Sequence, residues 1–119
     1  MDVIKKISSV IGRGVEIPKP EATEPFLVKD WGKRRGEDAI VYFIPKKSGG
    51  KPYEKGITTS ELKQAYEELC ASGAFTREWF NRNLAACAKE GGCNFTTIGG
   101  LFRLIGEAQY IERGIYRKI

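Results

Sequence analysis

Glycines divide the C-terminal half of the chain into short amphipathic segments, and this division constrains the fold more than any other feature of the sequence. The first segment opens with Thr58-Thr59-Ser60-Glu61, which matches a capping box, so a helix is expected to begin near residue 59. Apolar residues then recur every three or four positions until Ser72-Gly73, where glycine supplies a stop. These signals predict a first helix between the two motifs.

Two more helices are predicted downstream. The second lies between Thr76, whose hydroxyl can cap it, and Gly91-Gly92, which end it. Its apolar face carries Trp79, Phe80, Leu84 and Cys87. The third is predicted over residues 97–105, where apolar side chains again follow helical spacing. It contains Gly99-Gly100, and because each glycine costs a helix about 1 kcal/mol relative to alanine, another backbone is expected to approach closely there.

The last predicted element is a β-hairpin. Two strand-like runs, residues 109–112 and 115–118, are separated by Arg113-Gly114. A two-residue connection with glycine in second place is typical of a tight hairpin turn.

One further strand is predicted upstream of the helices. Ala39–Ile44 is rich in β-branched and aromatic residues and is stopped by Pro45. Its continuous apolar character predicts burial on both faces. Residues 46–56, with their glycines, proline and lysines, are predicted to form a mobile basic loop.

Residues 1–14 are predicted to form an amphipathic N-terminal helix. Its apolar stripe consists of Val3, Ile4, Ile7, Val10 and Ile11. We expect this stripe either to dock on the domain or to pair with its copy in a homodimer; attachment to a membrane surface is disfavoured because only two lysines flank it. Three prolines then predict an extended linker over residues 15–25, followed by a single domain over residues 26–119.

The sequence contains no histidine, and this excludes the commonest routes to nucleophile activation and to a tetrahedral metal site. We therefore expect no catalysis, no metal and no cofactor. Cys70, Cys87 and Cys93 are odd in number and unevenly spaced, which indicates reduced thiols. Since no apolar run has transmembrane length and no signal-peptide pattern is present, we expect a cytoplasmic protein without a membrane partner.

The formal net charge of +5 favours an anionic partner. Most of the excess lies in residues 28–59, which carry eight basic and four acidic groups, and in residues 93–119, which carry four and two. An anionic ligand is therefore expected at these two places.

The order helix, turn, helix, turn, third helix and hairpin over residues 57–119 resembles the winged helix-turn-helix family. The resemblance implies an α+β fold: a winged-helix-like three-helix module with a C-terminal β-hairpin, joined here to the N-terminal helix and one additional strand. Winged-helix proteins often carry a short strand between the first two helices. It could be formed by Ala74-Phe75-Thr76, or be replaced by Ile40–Ile44 pairing with the hairpin.

In the DNA-binding members of that family the third helix enters the major groove and the hairpin, or wing, lies along phosphates. The resemblance therefore assigns Thr96, Thr97, Gly100 and Arg103 to the groove and Arg113, Arg117 and Lys118 to the wing. The helix glycines would let the helix approach a duplex; the alternative is that they let the third helix pack on the second. Because specific readers present three or four base-reading side chains and this helix offers one arginine, sequence-specific recognition is disfavoured.

Two loops are predicted to add phosphate contacts: Lys33, Arg34 and Arg35 in one, and Lys46, Lys47 and Lys51 in the other. Trp31, beside the first loop, either stacks on a base or packs on the core. Together these patterns predict a non-enzymatic protein that binds nucleic acid, with DNA as the first candidate, through the third helix and the wing. The alternative is a protein–protein adaptor that uses the same fold and the N-terminal helix.

Overall fold

Five helices and two antiparallel sheets make up the computed structural model, which describes residues 2–46 and 48–119. The helices are α1 (Val3–Val10), α2 (Thr59–Ser72), α3 (Arg77–Asn83), α4 (Ala85–Glu90) and α5 (Asn94–Leu104). The strands are β1 (Glu16–Ile17), β2 (Phe26–Arg34), β3 (Glu37–Ile44), β4 (Tyr53–Thr58), β5 (Ala74–Thr76), β6 (Ala108–Glu112) and β7 (Ile115–Lys118). The fold is of the predicted α+β class. Among the described residues, none of the helices has the length and apolar character that crossing a bilayer requires.

The first sheet has the order β1-β2-β3-β4 and is centred on the β2–β3 hairpin. Arg35 and Gly36 form the turn with φ values of 49° and 78°, as expected where a two-residue turn must match the strand twist. In β3, Ala39 to Tyr42 are buried, which confirms the predicted strand and its burial on both faces. Residues 53–56 were predicted to lie in a mobile loop; they belong instead to β4, because they pair with β3.

The helices of the C-terminal half follow the predicted order with two differences. The capping box forms as expected, because Thr58 Oγ1 accepts from the Glu61 N–H and the Glu61 carboxylate accepts from the Thr58 N–H. The predicted second helix is two helices, since Leu84 at their junction leaves helical geometry (φ −118°, ψ 53°). The predicted third helix, α5, begins at Asn94 and not at Thr97.

The second sheet joins the C-terminal hairpin to the short strand that follows α2, in the order β5-β7-β6. Phe75 of β5 pairs with Tyr116 of β7, and Tyr116 pairs in turn with Tyr110 of β6. The first of the two alternatives for the short strand is therefore observed, and β3 belongs to the other sheet. Behind this sheet Phe75 stacks on Phe95 of α5 with ring centroids 4.8 Å apart, which fixes α5 against the hairpin.

The N-terminal helix docks within its own chain. Val3, Ile7 and Ile11 are buried in the same core as the rest of the domain, and α1 packs on α2. Val10, at the edge of the stripe, remains 50% exposed. Docking on the domain is therefore confirmed, and most of the stripe that could pair in a homodimer is already covered.

Residues 15–25, which we call the strap, connect α1 to β2 and are anchored on the domain by Ile17. Ile17 in β1 pairs with Phe26 of β2 and is fully buried. Strand structure ends at Pro18, because proline has no N–H to donate. The strap then crosses α5 so closely that a Cβ on Gly100 would lie 2.7 Å from Cγ2 of Ile17 and 2.9 Å from the carbonyl oxygen of Pro18.

Candidate nucleic-acid interface

The contact between α5 and the hairpin is one that only glycine permits. A Cβ on Gly99 would lie 2.2 Å from ring atoms of Tyr116. Tyr116 is fully buried, its hydroxyl has no hydrogen-bond partner among the described residues, and burial raises its pKa above the ordinary value. Both helix glycines therefore serve packing, but their neighbours are Tyr116 and the strap, not the second helix.

The face of α5 that was expected to enter a groove lies largely beneath the strap. Thr97 and Gly100 are buried, Thr96 is half-buried and Arg103 is exposed. The expectation for Thr97 and Gly100 is therefore corrected, because the strap occupies the side of the helix that a ligand would need. Arg103 is the groove candidate that remains accessible.

Lys19 of the strap lies at the N-terminal end of α5. Its Nζ donates hydrogen bonds to the carbonyl oxygen of Cys93 (2.9 Å), to Oγ1 of Thr96 (2.8 Å) and to Oγ1 of Thr97 (2.7 Å). The same ammonium lies 4.2 Å from the ring centroid of Phe26. Burial lowers the pKa of Lys19 to about 7, because taking an ammonium out of water disfavours its charged form.

Arginines on the hairpin and on α5 face solvent. Arg113, in the hairpin turn, has 86% of its side chain exposed, and its Nε lies 2.6 Å from Oε1 of Glu21 in the strap. Arg103 and Arg117 are exposed, and neither forms an ion pair within the described part of the chain. We call Arg103, Arg113 and Arg117 the wing arginines; they are the predicted site residues that the fold leaves accessible around the hairpin.

Lys118, by contrast, is held inside the fold by Glu107. The Glu107 carboxylate accepts hydrogen bonds from Lys6 Nζ (2.6 Å) and the Tyr66 hydroxyl (2.7 Å), and it lies 3.0 Å from Lys118 Nζ. These hydrogen bonds, chiefly that from Lys6, lower the pKa of Glu107 to about 2. Lys118 thus helps to join α1, α2 and β7, so its charge is already engaged.

Arg34 and Arg35 also bind carboxylates of their own chain. Arg35 donates two hydrogen bonds to Glu61, of 2.6 and 2.9 Å, and its Nη1 lies 3.1 Å from Glu90. Arg34 Nε lies 3.6 Å from Glu90. We call these four residues the turn cluster. Burial opposes ionisation of Glu61, but hydrogen bonds from Arg35 and from the backbone of Thr58 more than offset it and lower the pKa of Glu61.

The turn cluster corrects the expectation of phosphate contacts for these two arginines. Only 23% of the Arg35 side chain and 30% of the Arg34 side chain are exposed. Each guanidinium is paired with a carboxylate on α2 or α4, and these acidic residues are distant from the arginines in the sequence. The turn cluster joins the β2–β3 turn to α2 and α4, so these two arginines have a structural role.

Of the other predicted cations, Lys33 lies on β2, and Lys46 and Lys51 lie between β3 and β4. Lys33 is exposed and forms an ion pair on the β2–β3 hairpin. Lys46 places its Nζ 4.6 Å from the ring centroid of Tyr53, and Lys51 is exposed. Lys47 lies outside the described residues.

Comparisons with known proteins give no relative for this chain. No family model, curated protein sequence or solved structure matches this chain. Within residues 2–46 and 48–119, no group of three cysteine, aspartate or glutamate side chains is placed to hold a metal ion.

Two residues that shape this surface were not predicted, namely Lys19 and Glu21 of the strap. One sequence signal did exist: Ile17 is a lone apolar residue before the polar, proline-rich stretch, and an isoleucine is usually buried. That signal indicates packing of the strap. It gives no means of knowing which helix the strap crosses.

Proposed function

We propose that the chain is a non-enzymatic nucleic-acid-binding protein that holds phosphates with the wing arginines. Its C-terminal half would be a winged-helix-like module in which α5 is the third helix and β6–β7 is the wing. The three cysteines are free thiols, which supports the cytoplasm as its compartment.

The order of elements supports this assignment. Helix α2 is followed by strand β5, then by α3 and α4, by α5 and by the β6–β7 hairpin. The hairpin pairs through β7 with β5, so the short strand between the first and second helical segments completes a three-stranded wing sheet. This is the connection that the resemblance to winged-helix proteins leads one to expect.

The observation that carries the proposal is the accessibility of the wing arginines. Most other arginines of the described chain are engaged by carboxylates or carbonyl groups, whereas Arg103 and Arg117 are exposed and free of ion pairs there. An arginine fork matches a phosphate well, and neutralising phosphates releases counterions. Because Thr97 and Gly100 are covered, binding through the backbone of the nucleic acid is favoured over reading of base edges.

A salt titration tests the proposal. Binding to a random-sequence DNA duplex is followed by fluorescence anisotropy from low to physiological salt. Three phosphate contacts should give a slope of about −2.7 in a plot of log K against log salt, at about −0.9 for each contact. Absence of binding at low salt would refute nucleic-acid recognition by this chain.

A protein-binding adaptor is the second candidate, and a groove on the first sheet favours it. Leu27 and Phe43 pair across β2 and β3 and line this groove, and Leu27 is 41% exposed. Pro25, Pro45 and Pro52 also line the groove. An accessible apolar surface of this kind suits a peptide segment better than a phosphate backbone.

The two candidates are separated by a pull-down performed after nuclease treatment, with the wild-type chain and a Leu27→Asp variant. The adaptor function predicts a partner that survives the nuclease and is lost from the variant. Nucleic-acid binding predicts that retained material disappears with the nuclease and that Leu27→Asp makes no difference.

A further inference from the structure

We propose that residues 18–25 of the strap are a built-in competitor of the nucleic acid: they close over the N-terminal end of α5 and the wing, and they lift when phosphates bind. This inference rests on the proposed function, because it concerns the regulation of that same surface. It assigns roles to two side chains, Lys19 as the tether and Glu21 as the occupant of the wing.

Lys19 ties the strap to the helix. Its three hydrogen bonds all end on the first turn of α5 or on the residue before it. The tether is opposed by the burial of an ammonium, which lowers the pKa of Lys19 to about 7, and by the nearby charge of Arg77. The closed position therefore combines three hydrogen bonds with an unfavourable burial of charge, and a ligand that binds the open position better shifts the equilibrium toward it.

Glu21 places a carboxylate where a phosphate would bind. Its Oε1 lies 2.6 Å from Nε of Arg113. A carboxylate and a phosphate offer an arginine the same kind of acceptor oxygens, so both compete for this guanidinium. Of the wing arginines, Arg113 is the one whose charge the chain itself neutralises in the described structure.

Residues 18–25 can lift while the rest of the strap stays in place, so the domain need not unfold. Ile17 remains buried and paired with β2 on one side, and Phe26 begins β2 on the other. Residues 20–25 between them are exposed and form no strand, and their one backbone hydrogen bond runs from Ala22 N–H to Lys19 within the strap. Lifting would free the Thr96 hydroxyl from Lys19 and Arg113 from Glu21, while Gly100 would stay beneath Ile17.

The experiment measures affinity for a random-sequence duplex at one low salt concentration, using two variants and two matched controls. Glu21→Gln removes the competing carboxylate, and Glu24→Gln removes an exposed strap carboxylate that forms no ion pair in the described chain. Lys19→Ala removes the tether, and Lys63→Ala removes an exposed lysine from α2. Thermal unfolding of each variant establishes that the domain is folded.

Glu21→Gln is expected to bind about fivefold more tightly than Glu24→Gln, the range expected for loss of one exposed ion pair. Lys19→Ala is expected to bind at least about fivefold more tightly than wild type, because a larger fraction of molecules is then open. This gain in affinity is the opposite of what the loss of a positive charge alone would cause. Lys63→Ala should bind slightly more weakly than wild type.

Two other outcomes are distinguishable. If wild type binds but Glu21→Gln and Lys19→Ala match their controls, the strap is not a competitor and the proposed function stands. If neither wild type nor the opened variants bind the duplex at low salt, both the competitor and the proposed function are overturned.

Discussion

The β2–β3 turn and the wing are both rich in arginine, yet they use it in opposite ways. At the turn, the Arg35 side chain is held by Glu61 and Glu90, and only 23% of it is exposed. At the wing, Arg103 and Arg117 are exposed and without ion pairs in the described chain. The difference shows that a basic segment predicts a ligand surface only after the acidic residues that the fold brings to it are known.

The largest expected loss of stability comes from a substitution in α5, because its glycines are packed in the core and do not face a ligand. Gly99→Ala places a Cβ against the Tyr116 ring and should lower the free energy of unfolding by about 3 kcal/mol or more. Gly12→Ala is the control, since a Cβ there meets nothing within 4 Å. Chemical denaturation measures both. Equal stabilities would show that α5 does not pack on the hairpin as described.

The next largest loss of stability should follow from removing one partner of the turn cluster. Arg35→Met leaves Glu61 without its main partner and should cost about 2 kcal/mol, less than for a fully buried pair because 23% of the Arg35 side chain remains exposed. Lys33→Met, in the same hairpin but with an exposed ion pair, should change stability by no more than about 0.5 kcal/mol. Urea unfolding of the two variants makes the comparison. A similar small loss in both would contradict a structural role for Arg35.

The contacts of Glu107 with Lys6, Tyr66 and Lys118 should make the stability of the folded protein sensitive to acid. Because its folded pKa, about 2, lies below the ordinary value for a glutamate, the carboxylate contributes stability that is present at neutral pH and is lost as pH falls from about 4.5 toward 2. Thermal unfolding midpoints measured across this window should fall more steeply for wild type than for Glu107→Gln. Parallel curves would show that Lys6, Tyr66 and Lys118 do not hold the charged form.

The local signals of the C-terminal half predicted most of its elements. Capping at Thr58 and Thr76 and the Arg113-Gly114 turn depend on residues that are close in sequence, and each is found where it was expected. The apolar spacing located the helices but not the break at Leu84 or the start of α5 at Asn94. Trp31 packs partly buried against the core, as one of its two interpretations predicted.

Long-range pairing could not be predicted in the same way. Strand β2 contains Lys-Asp-Trp-Gly-Lys-Arg, which has the composition of a turn and becomes a strand only through pairing with β3. Residues 18–25 cover α5 through Lys19, a residue type that is usually exposed. For that reason the sequence does not show that this side of α5 is covered. Likewise, the hydrogen-bond and ion-pair partners of Arg35 lie 21 and more positions away in the sequence, so local patterns give no sign of them.

The most direct test of the contrast between the two arginine-rich regions compares two double variants with the same change in net charge. Arg103→Gln/Arg117→Gln alters the wing, and Lys33→Gln/Lys63→Gln alters exposed lysines of the β2–β3 hairpin and α2. The slope of log K against log salt for a random duplex should lose about 1.8 in magnitude in the wing variant and change little in the other. An equal loss in both, or a loss confined to the lysine variant, would contradict a phosphate site at the wing.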